Sequence, residues 1–120
     1  MKYTVNGKEF EVIRKAIKTD VKAMRRHNSD MLVHYDNMEG YNLQTNIEEL
    51  NLTAYRNKYN RWFILDAISG ISVSEAYTYK DAIQRFVNFL NNNGIEKAIE
   101  LIEAGRADIL KKWGKYIAAE

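Results

Sequence analysis

Polar and apolar residues alternate from Met1 to Val12 around a central Asn6-Gly7. That pattern predicts a β-hairpin, because both central positions of a type I′ turn need positive φ, which Asn and Gly tolerate. Pairing about the turn sets Tyr3 opposite Phe10 and Met1 opposite Val12 on an apolar face. Thr4 then meets Glu9, and Lys2 meets Glu11, on a polar one. From Ile13 the spacing changes. Ile13, Ile17, Val21 and Met24 recur at i, i+4, i+8 and i+11, which predicts one stripe of a helix over 14–26. Arg14, Lys15, Lys18, Lys22, Arg25 and Arg26 fill the rest of its circumference, although Thr19-Asp20 could instead restart the helix and leave its first turn as strand or loop.

Residues 31–36 read as a short strand, followed by a turn over Asn37 to Gly40. Thr45 and Glu48 match a capping box, so a short helix is expected over 46–51. A second hairpin joins Arg61–Ala67 to Ile71–Tyr77 through Asp66 to Gly70, a type I turn closed by a left-handed glycine. Trp62, Phe63, Ile64 and Leu65 are apolar on both parities, as expected of an interior strand covered on both faces. Thr78 caps a helix carrying Ile83, Phe86, Val87 and Leu90 inward and ending at Gly94. Two more helices are expected: Ile95 to Ala104, ended by Gly105, and 107–118, with Leu110, Trp113 and Ile117 inward. The whole chain, 1–120, reads as a single α+β domain, an antiparallel sheet built from two β-hairpins with helices packed on one face.

Composition narrows the setting. The 120 residues are 46% hydrophobic and 28% charged, the proportions of a globular domain. Cysteine is absent, which removes disulfides, thiolate metal sites and a cysteine nucleophile. The longest apolar run, Trp62 to Leu65, is far short of a membrane span, and the alternation of Met1 to Phe10 resembles neither a signal nor a transit peptide. Proline is also absent, while Asn, Ile, Lys and Tyr supply 43 residues. Those amino acids have A/T-rich codons, so the expected source is an AT-rich bacterium, its phage or its plasmid, and the expected compartment is the bacterial cytoplasm.

The net charge of +2 hides a strong segregation. Residues 1–27 carry eight Lys or Arg against three acids; residues 28–54 carry five acids and no Lys or Arg; residues 55–64 add Arg56, Lys58 and Arg61. Either the first two blocks lie side by side and neutralise each other, or a basic face awaits an acidic partner beside an acidic lobe that limits it.

Chemistry-bearing patterns are few. His34 with Asp30, Asp36 and Glu39 has no spacing that fits a known metal loop, so no metal or cofactor is expected. Ser69, Ser72 and Ser74 have no base beside them, and the scattered glycines form no phosphate cradle, so no catalytic residue is assigned and no enzymatic activity is expected. Tyr55-Arg56-Asn57-Lys58-Tyr59-Asn60-Arg61-Trp62 interleaves aromatics with cations, the mixture that stacks bases and neutralises phosphates. With the basic segment 14–26 it could line one groove. The candidate partner-binding residues are therefore Arg14, Lys18, Lys22, Arg25, Arg26, Tyr55, Arg56, Lys58, Tyr59 and Arg61. Tyrosine, tryptophan and arginine are equally the vocabulary of protein interfaces.

Arg61 to Phe86, with Trp-Phe-Ile-Leu-Asp, Ser-Gly and Thr-Tyr-Lys-Asp-Ala-Ile, resembles the strand–turn–strand–helix unit of small phage and mobile-element accessory proteins, anti-CRISPR proteins among them. The likeness covers about a fifth of the chain and transfers no functional residue. It implies a non-enzymatic protein that binds and inhibits a host protein, such as a defence nuclease, or a protein–nucleic-acid complex. The alternative is a nucleic-acid-binding accessory using segments 14–26 and 55–62.

Overall fold

The computed structural model describes the backbone of residues 1–26 and 33–118 and the side chains of 1–24 and 37–109. Six antiparallel strands lie in chain order across one sheet, and two helices pack on it, the expected α+β arrangement. Strands β1 (Lys2–Val5) and β2 (Lys8–Arg26) form the first hairpin. Asn6 (φ 50°) and Gly7 (φ 81°) make its turn, and Tyr3 faces Phe10, Thr4 faces Glu9 and Lys2 faces Glu11. The pairing extends to Met1, whose carbonyl accepts from the Val12 amide at 3.0 Å.

Residues 14–26 are not a helix. β2 continues for 19 residues and pairs with β3 (Val33–Thr45). The helical stripe has no core to face, since Ile13 and Ile17 are 44% and 82% exposed. Val21 and Ala23 are buried instead, at strand spacing. The spacing of four is also an even strand spacing, so Ile13, paired with Gln44, and Val21, paired with Met38, share one strand face; between them Arg14 pairs with Leu43 but Lys18 with Tyr41, so two extra β2 residues are inserted.

Two further expectations give way in the middle of the chain. Asn37 to Gly40 is not a turn but the interior of β3. Gly40 is needed there because a Cβ would collide with the Ala54 carbonyl and lie 3.0 Å from both Tyr55 Cβ and Val21 Cγ2. Nor is 46–51 helical. The Thr45 hydroxyl accepts from the Ile47 amide at 3.2 Å and donates to its carbonyl at 2.9 Å, and the Leu50 amide donates to Ile47 at 3.1 Å. This tight turn drops Leu50 and Leu52 into the core at the start of β4 (Leu52–Arg56). The expected beginning of a strand at Met31 and Leu32 lies outside the described residues.

The second hairpin forms as expected from β5 (Trp62–Asp66) and β6 (Ser72–Ala76), with Gly70 at φ 74°. β5 lies between β4 and β6, and its alternate residues face different clusters. Ile64 joins Val5, Phe10, Val12, Leu52, Phe86 and Leu90 beneath the helices. Leu65 joins Val21 and Ala23 on the opposite face, with Met38, Tyr55 and Phe63 packed around them. The sheet curls around this smaller cluster until the Gly70 carbonyl accepts from the Met24 amide at 3.0 Å.

Helix α1 (Tyr79–Asn93) starts where Thr78 Oγ1 accepts from the Asp81 amide at 3.1 Å and ends at Gly94, φ 83°. The expected break at Gly105 is absent: α2 runs from Ile95 to Ala118. No proline or capping side chain stops it there. Gly105 instead permits close approach to the sheet, since a Cβ would lie 3.3 Å from Ile71 Cδ1. Ala98, Ile102 and Ile109 are buried along α2; the side chains of Leu110, Trp113 and Ile117 lie outside the described set.

Candidate functional site

Five elements bring arginine and aromatic side chains together on the helix-bearing face. Arg14 is the last β2 residue before the irregularity, paired with Leu43. Tyr41 lies two positions along β3 on the same face, and Trp62 opens β5 opposite Arg56. Tyr79 is the first residue of α1, fixed by the Thr78 cap. The Arg14 guanidinium lies 4.5 Å from the Tyr79 ring, 5.0 Å from Tyr41 and 5.5 Å from Trp62. Such cation–π contacts hold a flexible side chain in one place without neutralising it. Arg56 lies 6.0 Å from the Trp62 ring. Among the described residues neither arginine has a carboxylate within ion-pair distance.

A cleft of about 370 Å³ is lined by Arg14, Lys18, Glu39, Tyr41, Arg56 and Trp62. Glu39 is its one acid, and its carboxylate pairs with Lys18 at 3.2 Å. The basic and acidic blocks therefore run side by side as β2 and β3, and this pair joins them. Around Trp62 the rings are crowded: Tyr41 stacks at 6.3 Å and 27°, and Tyr79 meets it edge-on at 5.4 Å. Burial raises the Tyr79 pKa, the Arg14 charge opposes that shift, and Tyr3 adds to it, leaving the phenol above its ordinary value.

The expected partner-binding residues divide between places. Arg14, Lys18 and Arg56, from both basic segments, meet in the cleft. Lys22 lies against the Gly70 turn. Arg25 and Arg26 end β2, and their side chains lie outside the described set. Tyr55 stacks on Phe63 on the opposite face at 5.2 Å and 13°. Lys58 sits 5.2 Å from the ring of Tyr59, which is 72% exposed at the β4–β5 tip. Arg61 pairs with Glu75 at 3.1 Å and lies 5.0 Å from the Tyr77 ring. The sequence did not single out Tyr41, Glu39 and Tyr79 for this cleft, and only strand register and the cap could have placed them.

One carboxylate is deeply buried. Asp66 accepts from Arg106 Nη2 at 2.8 Å and Nε at 2.9 Å, from the Ser69 hydroxyl at 2.7 Å and from its amide at 3.1 Å. Burial acts to raise its pKa, but the bonds from Arg106 and Ser69, with the Arg106 charge, outweigh it and hold the carboxyl below the ordinary range. A fully satisfied carboxylate of this kind locks α2 to the β5–β6 turn and is no proton acceptor. Among the described residues no group of His, Asp and Glu could hold a metal, and no helix is long and apolar enough to cross a membrane. The chain matches no protein-family model, and no curated protein or solved structure is significantly similar to it.

Proposed function

We propose that the protein is a non-enzymatic binding module that engages a partner protein through the Arg14–Arg56 cleft. The observation that carries the reading is a guanidinium held over three aromatic rings with no carboxylate paired to it among the described residues. An interface anchor needs that combination of rigid aromatic area and unsatisfied charge. With the phage-accessory resemblance of Arg61 to Phe86, the partner is a host protein such as a defence nuclease, met in the bacterial cytoplasm, and the action is inhibition by occupancy.

The test is expression in a bacterium carrying an active defence nuclease. Wild type should protect incoming phage DNA without degrading the nuclease, and a folded Arg14→Glu/Arg56→Glu variant should not. Absence of protection, or protection that survives both charge reversals, refutes the proposal.

Convergence of the two basic segments on one cleft also favours the second reading, a nucleic-acid accessory. That reading requires affinity for bare DNA or RNA that falls by about 0.7–0.9 log units per phosphate contact for each decade of salt.

A further inference from the structure

The cleft has a more specific chemistry than positive charge. We propose that it recognises a carboxylate-rich, extended segment of a partner protein, and that Glu39 is a built-in competitor which must release Lys18 when that segment binds. This deepens the binding-module reading and rests on it.

Two observations support carboxylates over nucleotides. A base-binding cleft offers an open ring face, because each base stacked on an aromatic ring adds to its affinity. Here Trp62 is flanked by Tyr41, Tyr79, Arg14 and Arg56, and Arg14 also covers Tyr41 and Tyr79. What remains for a ligand is guanidinium N–H groups, a fork that matches carboxylates and phosphates alike and so leaves the choice to the covered rings and to Glu39. A carboxylate is already seated in this cleft, the side chain of Glu39 on Lys18 at 3.2 Å.

That pair is exposed, with 61% of Lys18 and 67% of Glu39 side-chain surface accessible, so it is weak and exchangeable. Glu39 projects from β3 in the same face series as Tyr41, so it cannot leave the cleft by moving the strand. It can only rotate off Lys18. An incoming segment therefore replaces one ion pair by another on Lys18 and adds new pairs on Arg14 and Arg56, which have none among the described residues. Extended geometry follows from the layout: Arg14, Lys18 and Arg56 project from two strands of a sheet, and alternate side chains of an extended peptide share one face.

The test titrates a capped oligoglutamate peptide into the full chain by calorimetry, with oligothymidylate of equal charge and an oligoglutamine peptide as comparisons. Glu39→Gln should bind oligoglutamate about two- to fivefold more tightly, the range of one exposed ion pair. Glu49→Gln, which removes the same charge elsewhere in the acidic block, should change nothing. Arg56→Gln should weaken binding by on the order of tenfold, and the gain from Glu39→Gln should vanish in Lys18→Gln. Since Glu39→Gln gains affinity, misfolding cannot imitate it. Equal gains in Glu39→Gln and Glu49→Gln would overturn the competitor role. Oligothymidylate binding more tightly than oligoglutamate, and lost in Arg56→Gln, would make the cleft a phosphate site. Peptide binding without phage protection would leave the anion chemistry standing and remove the inhibitor function; protection with no peptide binding would do the reverse.

Discussion

Replacing Arg106 by Met would leave the Asp66 carboxylate buried without its counter-charge. Asp66 has 1% of its side chain accessible and Arg106 17%, so solvent cannot take over the lost bonds. Breaking a buried pair from one side costs about 3–5 kcal/mol, and the partial exposure of Arg106 argues for the lower end, about 3 kcal/mol. In a domain of this size that is a large share of the total and corresponds to roughly 10 °C or more in melting temperature. The pH dependence gives the sharper check. In the wild type the Asp66 pKa is lowered on folding, so its contribution is present above the ordinary carboxylate value and is lost as pH falls through the depressed one. In Arg106→Met the lowering influences of Arg106 disappear and burial, which raises the pKa, dominates. The variant then gains stability on protonation, and its deficit should shrink by roughly 1–2 kcal/mol between about pH 7 and about pH 4. Urea unfolding at both pH values, followed by fluorescence, measures this. Asp66→Asn/Arg106→Met should recover at least about 1 kcal/mol relative to the single variant. A deficit below about 1 kcal/mol at neutral pH, or one of the same size at acid pH, would refute the argument.

Gly7→Val should destabilise by roughly 1 kcal/mol or more through positive φ alone, since no atom lies within 4 Å of an added Cβ; an unchanged melting temperature would remove the type I′ turn. Gly40→Ala should cost more, on the order of 3 kcal/mol, because its Cβ meets backbone of β4 that cannot move aside, and soluble yield with thermal melting will report it. Phe86→Ala, fully buried against Phe10, should lose about 3–5 kcal/mol in urea unfolding.

What the sequence made legible was decided within a few residues. Asn6-Gly7, the Asp66–Gly70 turn, the Thr78 cap and Gly94 depend on local backbone conformation, and they stand where the pattern put them. The helical reading of β2 fails because a spacing of four suits one face of a strand as well as one stripe of a helix, and Ile13 and Ile17 are exposed while Val21 meets the core. Gly40 and Gly105 look like punctuation in the sequence, yet both serve close approach to an element distant in sequence. The cleft was half legible. Its cations stood out by charge, but their convergence on Trp62 depends on register between strands. The Asp66–Arg106 pair spans 40 residues and left no trace in any local pattern.

The order of the strands has a consequence for how the molecule forms. Because each strand lies beside its chain neighbour from β1 to β6, every pairing closes a short loop, and no strand must wait for a distant one. The sheet can zip inward from either hairpin at once, each nucleated by a turn of a few residues. The bond from the Met24 amide to the Gly70 carbonyl is different: it joins a strand of the first hairpin to the turn of the second and can close only when both have formed. Assembly rate should then be set by the local hairpins, with that bond among the last to form.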